Sequence, residues 1–169
     1  IMTTVNGEEW IIKFPAHVDG ENAGKMEYDY SCCAKKCGII MSETRLFPSE
    51  NCEGYFGIKR FDRISDKNGT KRIHMLTAAA LLELNFEQPS LDYHSLMKLT
   101  KILTRDNEKD MREMFRRMCF NVFAHNRDDH SKNFTYLYDD EKDRWSLSPA
   151  YDLTYSNTYY GCLLYTSPS

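Results

Sequence analysis

The sequence predicts an α+β fold, and three observations carry that prediction. Short strand-like segments occupy the first third, helical periodicity fills the middle, and a polar loop leads into two further short strands. The 169 residues are 41% hydrophobic and 28% charged, the balance of an ordinary folded chain rather than a disordered one. No 18-residue apolar run is present to cross a membrane. The formal charge of −3 and a pI near 6.0 leave no basic excess to drive nucleic-acid binding. No signal peptide precedes the six cysteines, so a reducing, cytoplasmic location is expected and a disulfide scaffold is not.

The elements follow in order. The chain opens at Ile1 rather than Met and soon enters a strand-like run, Trp10–Pro15, so further sequence is expected upstream. Residues 21–37 have a helical period, with Met26, Tyr30, Cys33, Ala34 and Cys37 on one apolar face and Gly38 as the stop. Cys32, Cys33 and Cys37 are read as structural thiols, since Cys32 and Cys33 diverge on a helix too much to form a zinc site. Ile39–Phe47 and Tyr55–Phe61 read as strands, and Asp62–Thr70, with Asn68-Gly69, as a loop. Leu76–Leu84 reads as helix, and Ser90 stands as the N-cap before a helix over Tyr93–Leu103. The clearest helix is 110–124, where Met111, Met114, Phe115, Met118, Cys119, Val122 and Phe123 form a stripe read as core in preference to a cofactor wall. Phe134–Tyr138 and Arg144–Leu147 form a hairpin turned by Asp139–Asp143. The last residues, 163–169, continue no earlier pattern and read as a non-native tail.

The loop between the clearest helix and that hairpin carries the chemistry. His125-Asn126-Arg127-Asp128-Asp129-His130-Ser131-Lys132-Asn133 packs two carboxylates, two imidazoles, two amides, an Arg and a Lys into nine residues. Asn and Asp favour turns, so a solvated turn could share this composition. The spacing points elsewhere: Asp128 stands five residues before Asn133, and Asp152 lies just past the hairpin. Phosphoryl transfer needs one Asp to receive or orient the proton of the attacking hydroxyl. It also needs an Asn and a second Asp to hold Mg²⁺ against nucleotide phosphates. Protein kinases use Asp-x-x-x-x-Asn, and phosphatidylinositol-type lipid kinases use Asp-x-His-x-x-Asn, which Asp128, His130 and Asn133 also match.

Asn126–Phe134 followed by Leu147-Ser148-Pro149-Ala150-Tyr151-Asp152-Leu153-Thr154 resembles the catalytic core of HipA-family serine/threonine kinases, the toxins of type II toxin–antitoxin systems. Ile11–Pro15, Glu27-Tyr28 and Lys59–Arg63 resemble, in the family's order, its ATP-lysine strand, its first helix and its adenine hinge. The resemblance implies a two-lobed fold like that of protein and phosphatidylinositol kinases. Residues 1–61 would be a partial N-lobe and 62–162 a C-lobe. It implies Asp128 as base or hydroxyl-orienting group, Asn133 and Asp152 as Mg²⁺ ligands, and Lys13 as the ATP-phosphate lysine. Backbone groups of Lys59 and Phe61 would meet adenine. Glu27 either pairs with Lys13 or is an exposed helical carboxylate. His130 either assists the phosphates or braces the loop. Lys132 either reaches the transferred phosphate or is solvated.

The implied cofactors are ATP and Mg²⁺. The implied partners are a protein substrate such as an aminoacyl-tRNA synthetase and a helix-turn-helix antitoxin, with no direct nucleic-acid contact and no membrane. The family's phosphate-covering loop and its C-terminal helices have no counterpart in these residues, so a chain truncated at both ends, inactive as an isolated piece, is expected. Two other readings stand beside the kinase. One is a metal-dependent phosphohydrolase using His125, Asp128, Asp129 and His130; the other is a non-catalytic antitoxin-binding module.

Overall fold

The computed structural model describes residues 1–15, 22–66, 69–84 and 91–156. Among the described residues, three antiparallel sheets and three helices of eleven residues or more make up the architecture. β1 (Met2–Val5) and β2 (Glu8–Ile12) form a hairpin whose register pairs Val5 with Glu8. Its two-residue turn is Asn6-Gly7, with φ of 51° and 81°, the positive pair that a tight hairpin turn requires and that Asn-Gly supplies with least strain. β2 pairs with β4 (Tyr55–Lys59), which pairs in turn with β3 (Thr44–Phe47), giving the order β1-β2-β4-β3.

α1 (Ala23–Lys36) packs on β3 and β4. Its buried residues are Gly24, Glu27, Ser31 and Ala34, whereas Cys33 and Cys37 are exposed and Met26 is 39% exposed. The expected apolar face is therefore corrected: the helix turns its small and polar residues inward. Close approach is the reason, since a Cβ on Gly24 would lie 2.3 Å from the carbonyl oxygen of Gly54.

The expected strand Ile39–Phe47 shortens to β3. Ile39 is buried, the Ile40 amide donates to Oε1 of Glu113 at 3.0 Å, and Met41 makes an isolated parallel bridge to Ala150. That stretch ties α1 to the second half of the chain instead of extending the sheet. The strand expected to reach Phe61 ends at Lys59. The expected loop 62–70 contains a hairpin, β5 (Arg63–Asp66) with β6 (Gly69–Arg72); Asn68 itself lies outside the described residues.

The expected helix over Leu76–Leu84 begins instead as β7 (His74–Thr77). It pairs with β8 (Thr135–Asp139), about sixty residues on, before the single turn α2 (Ala78–Leu81). A partner so distant in sequence leaves no local signal. β9 (Arg144–Leu147) completes this sheet in the order β7-β8-β9. α3 (Tyr93–Leu103) is capped by Asp92, whose Oδ1 accepts from the Ser95 amide at 2.6 Å; Ser90 lies outside the described residues, as do 163–169.

α4 (Glu108–Phe123) packs on α3 and β9 and buries Asp110, Glu113, Met114, Arg117, Phe120 and Asn121. Of the expected Met/Phe stripe only Met114 is fully buried, while Phe115 and Phe123 are 54% and 83% exposed. The inward face of α4 is polar because it holds backbone. Asp110 accepts from the Leu147 amide (3.1 Å), and Glu113 pairs with Arg117 (2.9 Å), which donates to the Ser148 carbonyl. Two apolar clusters flank this face. One joins α3, α4 and the β7-β8-β9 sheet through Leu96, Met114, Phe134 and Tyr136. The other joins the end of α1 to α4 through Ala34, Ile39, Phe120, Ala150 and Leu153.

Candidate functional site

The cleft between the first sheet and the 150–153 segment gathers residues from four places in the chain. Lys13 leaves β2 with its amide still bonded to the Phe56 carbonyl (2.9 Å), which carries its side chain to the mouth of the cleft. There Nζ donates to Oε1 of Glu27 at 2.7 Å and also to Oδ1 of Asp152. Glu27 is therefore a buried partner of Lys13 and not an exposed helical carboxylate, its side chain being 11% exposed. Burial depresses the Lys13 pKa, but the two carboxylates overcome it and hold the ammonium above the ordinary lysine value. Burial pushes Glu27 above the usual carboxylate range, with Lys13 pulling it back only in part.

Asp152 has φ 57°, in the left-handed region that Asp tolerates better than most side chains. The segment before it is held on both sides: Arg117 on α4 binds the Ser148 carbonyl, and the Ala150 amide donates to the Ile40 carbonyl at 2.7 Å.

Behind this triad lies a cavity of about 220 Å³ lined mainly by apolar groups, among them Ile11, Phe56, Ile58, Phe61, Met75 and Tyr151. Phe61 and Tyr151 stand 5.7 Å apart, ring centre to ring centre. Lys59 also borders it, but its amide donates to the Glu43 carbonyl (2.9 Å) and its ammonium pairs with Glu8. The Lys59 N–H is thus committed to the sheet. Arg60 and Asp62 at the edge form a two-bond fork at 2.9 and 2.6 Å.

The polar loop closes the cleft from below. Asn133 ends a 3₁₀ turn over Ser131–Asn133, and its Nδ2 donates to the Asp128 carbonyl at 2.7 Å. Asp128 has a half-exposed side chain, 3.9 Å from Nε2 of His130. Desolvation raises the Asp128 pKa; His130 and Lys13 counter it, while Asp152 and Asp129 add to it. Asp129, its neighbour, is 1% exposed and accepts from the Tyr93 hydroxyl. Asn121 donates to that same hydroxyl (3.0 Å) and Asn126 to Asn121 (3.0 Å), so the loop is pinned to α3 and α4 through amides and a phenol. The side chain of Lys132 is exposed.

The sequence pointed to Asp128, Asn133, Asp152, Lys13 and Glu27 but missed Tyr93, Asn121, Thr135 and the hydroxyl of Tyr151. None of these four stands in a spacing that any chemistry demands. Tyr151 alone had a signal, its place beside Asp152.

A Mg²⁺ ion suits the donors present. Asn133 directs its amide nitrogen to the Asp128 carbonyl, leaving its oxygen as an acceptor, and Asp152 adds a carboxylate, both hard oxygen donors. Among the described residues no three His, Cys, Asp or Glu side chains gather as an all-protein metal cage.

A lysine–glutamate pair on a small antiparallel sheet, facing a helical half that carries an Asp-x-x-x-x-Asn loop and a further Asp, defines a kinase-like fold. The chain belongs to the HipA-like C-terminal domain family, whose model matches residues 2–166. Over 159 residues it is 26% identical to a Sinorhizobium fredii protein named "Putative kinase Y4dM", covering 87% of this chain and 37% of that one. The fold is shared with HipA from Shewanella oneidensis MR-1, solved in a toxin–antitoxin complex with HipB and operator DNA. That match has a TM-score of 0.74 at 17% identity, over 89% of this chain and 41% of that one. It is also shared with the Helicobacter pylori proinflammatory kinase CtkA, with a TM-score of 0.64 at 16% identity, over 90% and 53% of the two chains. The chain thus spans about two fifths of the curated relative and about half or less of each solved structure. No helix among the described residues is long and apolar enough to cross a membrane.

Proposed function

We propose that this chain carries the ATP site and catalytic loop of a HipA-like serine/threonine protein kinase, the toxin of a toxin–antitoxin pair. The observation that carries the reading is the Lys13–Glu27–Asp152 triad at the mouth of an apolar cavity. Such a cavity suits a flat base, and a cation at its mouth suits phosphate. The base would enter between Ile11, Ile58, Phe61 and Tyr151, with backbone groups near Lys59 and Phe61 at its edge. Lys13, oriented by Glu27, would neutralise phosphate charge. Bound Mg²⁺ would supply charge neutralisation between the phosphates. Asn133 and Asp152 would hold it, and Asp128 would orient the acceptor hydroxyl and take its proton as the oxygen bonds the γ-phosphorus and ADP leaves. His130 would brace Asp128, and Lys132 would reach toward the transferred phosphate.

The Shewanella neighbour is complexed with HipB. A helix-turn-helix antitoxin is the corresponding partner proposed here, with a protein such as an aminoacyl-tRNA synthetase as substrate and the cytoplasm as location. The test is ATP binding to the full-length protein with and without EDTA. The reading requires tight binding that depends on Mg²⁺ or Mn²⁺; equal affinity in both conditions contradicts it.

A further inference from the structure

Tyr151 touches both halves of the proposed site through different parts of one side chain. Its ring lines the 220 Å³ cavity beside Phe61. Its hydroxyl donates to the Lys132 carbonyl at 2.6 Å, inside the 3₁₀ turn that ends at Asn133. A phenol has one proton and a carbonyl only accepts, so the second contact, 2.5 Å to Oγ1 of Thr135, has the threonine donating. Thr135 is fully buried at the start of β8, and its carbonyl accepts the Ser148 amide at 2.9 Å. The hydroxyl therefore sits between the residue preceding Asn133 and a fixed point of the β7-β8-β9 sheet, while Asp152 follows Tyr151 directly in a left-handed conformation. A side chain in sparsely populated backbone geometry keeps it only where its surroundings over-determine it.

We propose that the Tyr151 hydroxyl is a positioning group that sets the spacing of Asn133 and Asp152, and with it the cleft's affinity for a divalent cation, separately from the ring's part in holding the base. The inference rests on the kinase reading. Misplacement of a reacting or ligating group by about 1 Å costs on the order of a hundredfold in rate. The hydroxyl is the direct bridge between the Lys132 turn and the Tyr151–Asp152 dipeptide.

The probe is a fluorescent ATP analogue bound to the full-length protein, titrated with Mn²⁺. Tyr151→Phe keeps the ring and removes only the hydroxyl. The half-saturating Mn²⁺ concentration is expected to rise about tenfold, and turnover to fall by a similar factor without a change in KM for ATP. Thr135→Val, which leaves Tyr151 intact but removes its donor, is expected to shift Mn²⁺ in the same direction by less, and Thr135→Ser to restore it. An unchanged Mn²⁺ midpoint in Tyr151→Phe, or in Thr135→Val where the first variant does not fold, overturns the inference while metal-dependent nucleotide binding by wild type leaves the kinase reading standing. Wild-type binding that ignores Mn²⁺ overturns both.

Discussion

Lys13 and Glu27 stand fourteen residues apart in sequence and 2.7 Å apart in space, Nζ to Oε1, joining the end of β2 to α1. The pair is possible because α1 lies close against β4, and that closeness depends on Gly24, three residues before Glu27 on the same face. A Cβ there would meet the Gly54 carbonyl oxygen at 2.3 Å and the Phe56 nitrogen at 3.0 Å. Backbone atoms of a sheet cannot rotate away as a side chain can, so the helix itself must shift.

Gly24→Ala is therefore expected to destabilise the protein by about 1–3 kcal/mol, despite alanine's better helix propensity. It is also expected to weaken ATP binding by moving Glu27 away from Lys13. Urea denaturation and nucleotide titration read the two effects. A variant as stable as wild type, or more so, would show that α1 is free to move.

Arg117 is 2% exposed and binds both Glu113 and the Ser148 carbonyl. Arg117→Met takes from buried Glu113 one of its two arginine partners, with Arg116 still at 3.1 Å, and leaves the Ser148 carbonyl without its donor; it is expected to cost about 1–3 kcal/mol. Adding Glu113→Gln is expected to recover part of that loss, because the buried carboxylate, then held only by the partly exposed Arg116, is replaced by a neutral amide. Double-mutant denaturation measures the coupling, and purely additive losses would contradict it.

Asp62 gives the clearest pH dependence. Burial pushes its pKa up, but Arg60 and Arg63 more than offset this and hold it below the ordinary carboxylate value. With the folded-state pKa below the unfolded one, the contribution to stability is complete above the unfolded value, near 3.8. It is lost as pH falls through the folded value. Asp62→Asn is expected to lower the melting temperature at neutral pH, with the gap to wild type closing below pH 4 or so. A gap that stays constant with pH would remove the carboxylate from the account.

The strands and helices with local signals were legible in the sequence: β4, β9, α3 and α4 lie within a few residues of their expected places. β7 was not, since its partner β8 comes from far along the chain. The Asn6-Gly7 turn was legible and overlooked, although it fixes the β1-β2 register. The inward faces of α1 and α4 misled for one shared reason. Apolar periodicity marks a buried face only where burial is apolar, and here those faces carry Gly24, Glu27 and Ser31, or Asp110, Glu113 and Arg117, which serve close packing and backbone capture. At the site, spacing singled out Asp128, Asn133 and Asp152, and the fold brings them to one cleft with Lys13. Spacing could not find Tyr93 or Thr135, which support those groups through single hydrogen bonds across the fold.

Adjacent Asp128 and Asp129 have opposite environments, one half-exposed at the cleft, the other buried on Tyr93. Asp129→Asn is expected to act on folding, costing about 1–3 kcal/mol through its buried hydrogen bond, with catalysis falling only as far as the loop loosens. Thermal melts beside turnover numbers separate the two effects, and a stable but inactive Asp129→Asn would reverse their roles.

The most direct measurement is transfer of the ATP γ-phosphate by the full-length protein carrying Asp128→Asn, with ATP affinity measured on the same sample. The account predicts a loss of roughly 10²–10⁴-fold in turnover with nucleotide affinity essentially unchanged, since binding rests on Lys13, the apolar cavity and the metal ligands. Near-normal turnover in that variant would contradict it.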